Sequence, residues 1–246
     1  MGGMASRQPR GDTQTRSVSG RYHVRVAVAG AHGQIAMLLN RRLTDNDHHV
    51  VGLVRNPDHL DDVAASGAGA VLCDLETASL EDVAAVIDGC EAVVFAAGAG
   101  PGSGMARKDT VDRAAAVLLA QAASRAEVHR YLLLSSMGVE TVRGGAVPNG
   151  VDEVFVAYLQ AKLVAEDAVR ASDLAWTVLR PGRLTDDPGT GRVHLAGHVD
   201  GGQVPREDVA AVLAALLDEP RTAGKVLELI EGHTPLHAAV ASAARG

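Results

Sequence analysis

Short apolar runs alternate with polar, helix-like segments from His23 almost to the end of the chain. Such runs are typical of strands, and large apolar residues three or four positions apart are typical of amphipathic helices. The runs predict strands at 23–29, 49–54, 70–73, 92–97, 131–135 and 176–179. The segments between them predict helices at 33–44, from Pro57 to about 66, at 80–87, at about 110–125 and at about 154–172.

The predicted strands are continuous apolar runs, which is what a sheet covered on both faces requires. Helices that alternate with the strands supply that cover. The sequence therefore predicts an α/β fold built on a doubly wound parallel sheet.

The two ends of the chain depart from this pattern. After Pro181 come a loop at 182–191, a helix that begins after Pro205, a strand at 226–230 and an Ala-rich helix. These elements are too few to form a separate core, so we interpret 21–246 as a single domain with a small cap, mainly at 182–246. Residues 1–20 contain few large apolar side chains and are expected to be a disordered tail.

Composition and charge narrow the classes of function. A net charge of −7 and an aromatic content of 2% argue against nucleic-acid binding. The two cysteines cannot form a disulfide framework, and the ten histidines lack metal-binding spacing, so no metal site is predicted. No apolar stretch approaches the roughly 20 residues of a membrane span, and the first residues lack a secretory signal. We expect a cytoplasmic protein, monomeric or homodimeric, that acts on a small molecule.

The strongest local motif is Gly30-x-x-Gly33-x-x-Ala36, placed between the first predicted strand and the first predicted helix. Glycines let the backbone approach a pyrophosphate, and the N-terminus of the following helix attracts the anion. In this context the motif favours dinucleotide binding over a purely structural turn.

Residues after the next strands refine this prediction. Arg55 follows the second strand, where an arginine accommodates a 2′-phosphate and an acid would hold a 2′-hydroxyl, so the sequence favours NADP over NAD. The alternative for Arg55 is an ordinary solvated loop side chain. Asp74, after the third strand, fits either an acceptor for an adenine amino group or a helix N-cap. Ala97 and Gly98 end the fourth strand, where a cofactor ribose would lie.

A third group of residues could carry catalysis. Ser135 and Ser136 end the fifth strand, and Tyr158 and Lys162 lie four residues apart on one face of the next helix. A tyrosine titrates near 10 and needs a neighbouring cation to act as an acid or base at neutral pH, which Lys162 can supply. A serine hydroxyl would bind the substrate oxygen.

Together these motifs resemble the atypical short-chain dehydrogenase/reductases, and most closely the NmrA-like NAD(P)-binding proteins described as NAD-dependent epimerase/dehydratases or relatives of flavin and biliverdin reductases. The resemblance covers about residues 23 to 231. It implies an NAD(P)-binding Rossmann fold with a substrate-side cap. The resemblance implies that the pyrophosphate loop consists of Gly30, His32, Gly33, Gln34 and Ile35. It implies that Arg55 contacts the adenosine phosphate and that Asp74 and Leu75 contact the adenine. Ala97 and Gly98 would contact the ribose.

The same resemblance assigns the nicotinamide half. Ser135 and Lys162 would reach it, and Pro181 would close over its carboxamide. Ser136 and Tyr158 match the catalytic serine and the acid/base. The expected function is an NADP-dependent oxidoreductase acting on a small carbonyl or alcohol, a quinone or a flavin-like substrate. An NAD(P)-dependent epimerase/dehydratase and a non-catalytic NmrA-like NADP(H) sensor remain the alternatives.

Overall fold

The computed structural model describes residues 23–100 and 102–246, and the tail predicted at 1–20 lies outside them. The strands are β1 (Arg25–Ala29), β2 (His49–Val54), β3 (Gly69–Leu72), β4 (Ala92–Phe95), β5 (Arg130–Leu134), β6 (Ala175–Pro181), β7 (Arg183–Thr185), β8 (Arg192–Ala196), β9 (Gln203–Pro205), β10 (Lys225–Glu231) and β11 (Thr234–Pro235). The helices are α1 (Gln34–Asp45), α2 (Leu60–Ala65), α3 (Leu80–Val86), α4 (Met105–Arg107), α5 (Ala116–Arg125), α6 (Glu153–Arg170), α7 (Arg206–Leu217) and α8 (Leu236–Arg245). A π-helical segment, Lys108–Ala115, joins α4 to α5, and short 3₁₀ turns occur at Pro57–His59, Val139–Gly145 and Pro220–Thr222.

Within the described residues, nine strands form one sheet in the order β11-β8-β10-β6-β5-β4-β1-β2-β3. The strands from β3 to β10 in this order are parallel, whereas β8 runs antiparallel to β10 and β11. The chain passes from β3 back across β1 to β4, so the strand order reverses between β1 and β4. Ligands bind at such a switch point in open α/β sheets, outside the carboxyl ends of the strands.

Both faces of the sheet are covered, which explains the continuous apolar runs. Val26 and Val28 of β1 point to a layer formed with α1 and α7, whereas Ala27 and Ala29 point to a layer formed with α3, α5 and α6. The fully buried large side chains include Leu39, Leu43, Leu213 and Leu216 in the first layer and Phe95, Leu119 and Tyr131 in the second. The predicted doubly wound α/β fold is confirmed.

The C-terminal region contributes to the same sheet. The strand predicted at 226–230 is β10, which pairs in parallel with β6, and β8 and β11 extend the sheet beyond it. β7 and β9 pair separately, in parallel, beside the end of β6. The pattern did not reveal β8, because its apolar positions alternate and only one of its faces is buried. The interpretation of 182–246 as a substrate-side cap stays a prediction.

None of the described helices combines the length and the apolar character that crossing a membrane requires. Within 23–100 and 102–246, no group of three His, Cys, Asp or Glu side chains is placed to hold a metal ion.

Candidate functional site

A cavity of about 250 Å³ opens at the carboxyl ends of β1, β2, β3 and β4, where the strand order reverses. The sequence-predicted residues that line it are Gly30, His32, Gly33, Arg55, Asp74, Leu75, Ala97 and Gly98. The lining residues that the sequence did not single out are Leu53, Val54, His59, Cys73, Glu76, Ala96, Arg107, Val111 and Ala115. Pockets for drug-sized ligands span roughly 300–1,000 Å³, so this cavity suits a nucleoside better than a whole dinucleotide.

The two glycines of the Gly30-x-x-Gly33 motif have different structural roles. Gly30 has a φ of +74°, and a Cβ built on it would lie 2.6 Å from the Ala97 Cα atom. The fold itself therefore demands glycine at 30. Gly33 has a φ of −64°, and the nearest atom to its Cβ would be the Gly30 carbonyl oxygen at 3.2 Å. Only a modest adjustment would admit a side chain there.

Gly33 instead leaves the N-terminus of α1 accessible. It is exposed and forms the N-cap of α1, and the first turn, Gln34 to Met37, contains no acidic side chain. Backbone N–H groups at the positive end of the helix dipole therefore lie beside the cavity at Gly33, and no acidic side chain in the first turn of α1 competes with a bound anion. This arrangement fits a bound pyrophosphate. Ile35 packs in the core and neither Gln34 nor Ile35 lines the cavity, so their contacts with a pyrophosphate stay predictions.

The end of the cavity beside β2 and β3 carries charged side chains. Arg55 donates from Nη1 to Glu76 Oε2 at 3.2 Å, and Arg107 donates from Nη2 to the same oxygen at 2.6 Å. The Arg55 side chain is 53% exposed, so its contact with a 2′-phosphate and its alternative as a solvated loop side chain both stay predictions. His32 stacks on His59 with ring centroids 3.7 Å apart, and its Nε2 lies 3.0 Å from an Asp62 carboxylate oxygen.

Asp74 lines the same cavity. Its Oδ1 accepts a hydrogen bond from the Glu76 N–H at 3.0 Å, which fixes the turn after β3. The N-cap of α3 is Ser79, which forms a capping box with Asp82. The alternative for Asp74 as the cap of that helix is therefore wrong, and its contact with adenine stays a prediction.

Lys162 lies beyond this cavity, between the ends of two strands. Its side chain is buried, and Nζ donates to the carbonyl oxygens of Leu134 at 3.1 Å and Ala97 at 3.4 Å. The ammonium lies 3.3 Å from Asp112 Oδ1, and the other carboxylate oxygen of Asp112 accepts from the Ala99 N–H at 3.2 Å. Lys162 thus connects the ends of β4 and β5 to the π-helical segment.

Asp112 is a site residue that the sequence analysis missed. It is fully buried in the π-helical segment, in the stripe that Val111 and Ala115 also occupy. A buried carboxylate requires a partner. The sequence signal that could have identified Asp112 is an acidic residue within the apolar stripe of a predicted Ala-rich helix.

The phenol ring of Tyr158 faces two ammonium groups. Nζ of Lys108 is 5.4 Å and Nζ of Lys162 is 5.9 Å from the ring centroid. Lys108 is itself buried and donates to the Gly100 carbonyl oxygen at 2.9 Å. Phe155 stacks on Tyr158 with centroids 5.7 Å apart. Two ammonium groups therefore lie against the ring of Tyr158, and its role as the acid or base stays a prediction.

The two serines after β5 point in different directions. The Ser136 hydroxyl is partly exposed and donates to the Met137 carbonyl oxygen at 3.0 Å. The Ser135 hydroxyl is buried and donates to Glu166 at 2.5 Å. Pro181 is buried, and its carbonyl oxygen accepts from the Met137 N–H. None of Ser135, Ser136, Tyr158, Lys162 and Pro181 lines the 250 Å³ cavity, so their contacts with a cofactor stay predictions.

Glu166 joins Ser135 to a buried charge network around Arg180. The guanidinium donates from Nε and Nη2 to Glu166, the shorter contact being 2.5 Å, and from Nη2 to Glu140 at 2.7 Å. Burial acts to lower the pKa of Arg180, but hydrogen bonds and charge from Glu166 and Glu140 outweigh it and raise that pKa. Glu228 lies 3.9 Å away and also contacts His198.

Glu140 should make stability depend on pH. Hydrogen bonds from Arg143, and then from Arg180, outweigh its burial and lower the pKa of Glu140 from 4.5 to about 2. Its stabilisation is therefore complete above about pH 4.5 and lost as the pH falls toward 2. Because the side chain is 46% exposed, screening leaves about 1 kcal/mol at pH 7.

The pH dependence is checked by measuring the free energy of unfolding in urea for Glu140→Gln and for the unsubstituted protein at several pH values. The variant should be less stable at pH 7, and the difference should shrink as the pH falls from 4.5. Glu231→Gln, at the exposed end of β10, serves as the control. A difference that does not change with pH would show that the loss comes from packing rather than charge.

Comparison with known proteins supplies a family. A family model described as NAD(P)H-binding matches residues 30–220. The chain is 35% identical over 214 residues to a Bacillus subtilis (strain 168) protein named as the uncharacterized sugar epimerase YhfK, covering 87% of this chain and 97% of that protein.

Solved structures agree. A Bacillus halodurans protein named as an NAD-dependent epimerase/dehydratase is 33% identical with a TM-score of 0.81, over 89% of this chain and 99% of that one. The oxidoreductase ylbE from Lactococcus lactis is 26% identical with a TM-score of 0.77, over 89% and 95% of the two chains. These structures share the α/β fold described above.

Proposed function

Since the chain belongs to the NAD(P)H-binding family, we propose that it is an NADP-dependent oxidoreductase of the short-chain dehydrogenase/reductase type. The family model covers residues 30–220, and the atypical, NmrA-like subtype fits the relatives and belongs to this proposal. The proposed substrate is a small carbonyl or alcohol, a quinone or a flavin-like molecule. A cytoplasmic location, a single domain over 21–246 and a monomeric or homodimeric state belong to the same proposal.

The observation that carries the proposal is the cavity at the switch point. It combines an unobstructed helix N-terminus at Gly33, two guanidinium groups at the adenosine end, and a carboxylate, Asp74, on the third strand's edge. These groups match the pyrophosphate, the 2′-phosphate and the adenine amino group. A nicotinamide cofactor, when bound, would supply or accept the hydride.

The chain's own residues would perform the remaining steps. Tyr158 would transfer a proton to or from the substrate oxygen, with the ammonium groups of Lys162 and Lys108 beside its ring. Asp112 holds Lys162 in place and partly balances its charge. Ser136 would orient the substrate oxygen, since its hydroxyl is partly exposed. Ser135 would reach the nicotinamide half only by leaving Glu166.

The test is a fluorescence titration of the purified protein with NADPH and, separately, NADH, using Arg55→Asp beside the unsubstituted chain. We expect NADPH to bind at least about tenfold more tightly than NADH, and Arg55→Asp to reverse that preference, because the new carboxylate repels a 2′-phosphate and accepts from a 2′-hydroxyl. Arg113→Asp is the matched control, since Arg113 pairs with Asp109 and does not line the cavity. Failure to bind either cofactor would overturn the proposed function.

A specific observation also favours a second candidate. The relatives named as a sugar epimerase and as an NAD-dependent epimerase/dehydratase are matched over almost their full length. An epimerase or dehydratase would use the same Tyr158 and Lys162 and return its cofactor to the starting oxidation state. Conversion of a substrate with no net change in NADPH or NADP would favour it over the oxidoreductase.

A further inference from the structure

Glu76 is held by three donors at the adenosine end of the cavity. Its Oε2 accepts from Arg55 at 3.2 Å and from Arg107 at 2.6 Å, and its Oε1 accepts from the Thr110 hydroxyl at 2.6 Å. Arg55 follows β2, Glu76 lies in the turn after β3, and Arg107 ends α4. Three separate segments therefore meet on one carboxylate.

This carboxylate does not saturate the groups around it. Two guanidinium groups share this one carboxylate, and the other carboxylate on the cavity lining, Asp74, accepts from the Glu76 N–H. The Nε of Arg107 is buried without a hydrogen-bond partner among the described residues. A guanidinium has five N–H donors, and Arg55 and Arg107 each direct one of them at Glu76. The cluster therefore has spare hydrogen-bond donors.

A phosphate monoester fits these spare groups better than a carboxylate does. It carries up to two negative charges and three acceptor oxygens, and guanidinium groups bind it with paired hydrogen bonds. Arg55, Glu76 and Arg107 all line the cavity, so an anion bound inside it could reach both guanidinium groups. Glu76 then occupies, within the protein, the position of such an anion.

We propose that Arg55 and Arg107 together clamp the 2′-phosphate of the adenosine half, and that Glu76 is the anion which this phosphate displaces. The inference rests on the proposed function, because it assumes that a nucleotide enters the cavity. It assigns to Arg107 and Glu76, neither of which the sequence singled out, the selection between phosphorylated and unphosphorylated ribose.

If the clamp is correct, neutralising Glu76 should change the affinity for phosphorylated and for unphosphorylated ribose in different ways. Glu76 competes with a 2′-phosphate for the guanidinium groups and repels it, so neutralising Glu76 should tighten phosphate binding. Toward an unphosphorylated ribose the same carboxylate is an acceptor for the 2′-hydroxyl, so neutralising it should leave binding unchanged or weaken it. A residue that merely stabilised the turn would affect both ligands alike.

The experiment uses nucleotides that lack nicotinamide. Binding of 2′,5′-ADP and of 5′-AMP is measured by calorimetry for the unsubstituted protein, Glu76→Gln and Arg107→Gln. We expect Glu76→Gln to bind 2′,5′-ADP about five- to tenfold more tightly and 5′-AMP no more tightly. Arg107→Gln should bind 2′,5′-ADP at least about tenfold more weakly and 5′-AMP within about twofold. Arg113→Gln and Glu81→Gln, which lie outside the cavity, are the matched controls.

The possible failures are distinguishable. If the unsubstituted protein binds NADPH, but Glu76→Gln weakens 2′,5′-ADP or Arg107→Gln weakens both nucleotides equally, the clamp is wrong and the proposed function stands. If neither NADPH nor NADH binds the unsubstituted protein, both proposals fall. Thermal unfolding of each variant checks that the turn after β3 is intact. If Glu76→Gln does not fold, the binding of the two nucleotides to Arg107→Gln tests the clamp by itself.

Discussion

Tyr158→Phe is expected to lower the turnover number of NADPH-dependent reduction by at least about 100-fold, while the Kd for NADPH stays within about threefold. Proton transfer by a positioned side chain contributes roughly 10²–10⁴ to a rate, and phenylalanine keeps the ring while removing the proton. The ring contacts of Tyr158 with Phe155 and the two lysines survive the substitution. A loss of turnover without a loss of cofactor affinity would therefore report the hydroxyl itself.

The measurement is NADPH oxidation against a panel of quinones, flavins and small aldehydes or ketones, followed by a full kinetic analysis on the best of them. Tyr131→Phe is the matched control, because the Tyr131 hydroxyl is buried and donates only to the Ala116 carbonyl oxygen among the described residues. Tyr131→Phe should lower the free energy of unfolding and leave the turnover number unchanged. Unchanged turnover in Tyr158→Phe would remove Tyr158 from the mechanism.

A further outcome separates the catalytic proposal from the sensor alternative. Tight NADPH binding with no turnover on any member of the panel would support a non-catalytic NADP(H)-binding protein. In that case Lys162 would still contact the ends of β4 and β5, since its hydrogen bonds to Leu134 and Ala97 do not depend on Tyr158.

The cavity at the switch point could be predicted because its position follows from the sheet. Parallel strands bring their carboxyl ends to one edge, so Gly30, Arg55, Asp74 and Ala97, each placed at or just after the end of a predicted strand, had to lie together. The apolar runs fixed those strands to within one or two residues over much of the sheet. Periodicity and topology were sufficient for this part.

The charged partners could not be predicted in the same way. Glu76 contacts Arg107 and Thr110, which are 31 and 34 residues away, through the turn after β3 and the segment after the Gly-rich loop. Neither turn geometry nor helix start follows from apolar spacing. Asp112 faces Lys162 from a π-helical segment, in which the residues per turn differ from those of the α-helix assumed in reading the pattern.

The direction of the Ser135 side chain could not be predicted from the sequence either. Ser135 and Ser136 both follow β5, and only one of two successive side chains can face the same side of a strand end. Glu166 lies fully buried on α6, and a buried carboxylate needs donors, so it engages the Ser135 hydroxyl together with Arg180. Ser136 is left as the partly exposed hydroxyl.

Glu166→Gln should be the most destabilising of the substitutions considered, by about 3–5 kcal/mol. Glu166 has no exposed surface, and Arg180 is 5% exposed. Removing the carboxylate charge leaves a guanidinium in the interior with Glu140 and the more distant Glu228 as its remaining acids. The amide that replaces it also brings an N–H₂ group to a site built to accept hydrogen bonds from Ser135 and Arg180.

Chemical denaturation at pH 7 measures this loss. Asp167→Asn is the matched control, because Asp167 is the next residue on α6 and forms an exposed ion pair with Arg143, for which about 0.5 kcal/mol is expected. The double variant Glu166→Gln/Arg180→Met should recover part of the lost stability, since it removes the unpaired charge. A loss below about 1 kcal/mol in Glu166→Gln would mean that Glu140 and Glu228 alone suffice to hold Arg180. The position of Arg180 on β6 would then not depend on its contact with Glu166 on α6.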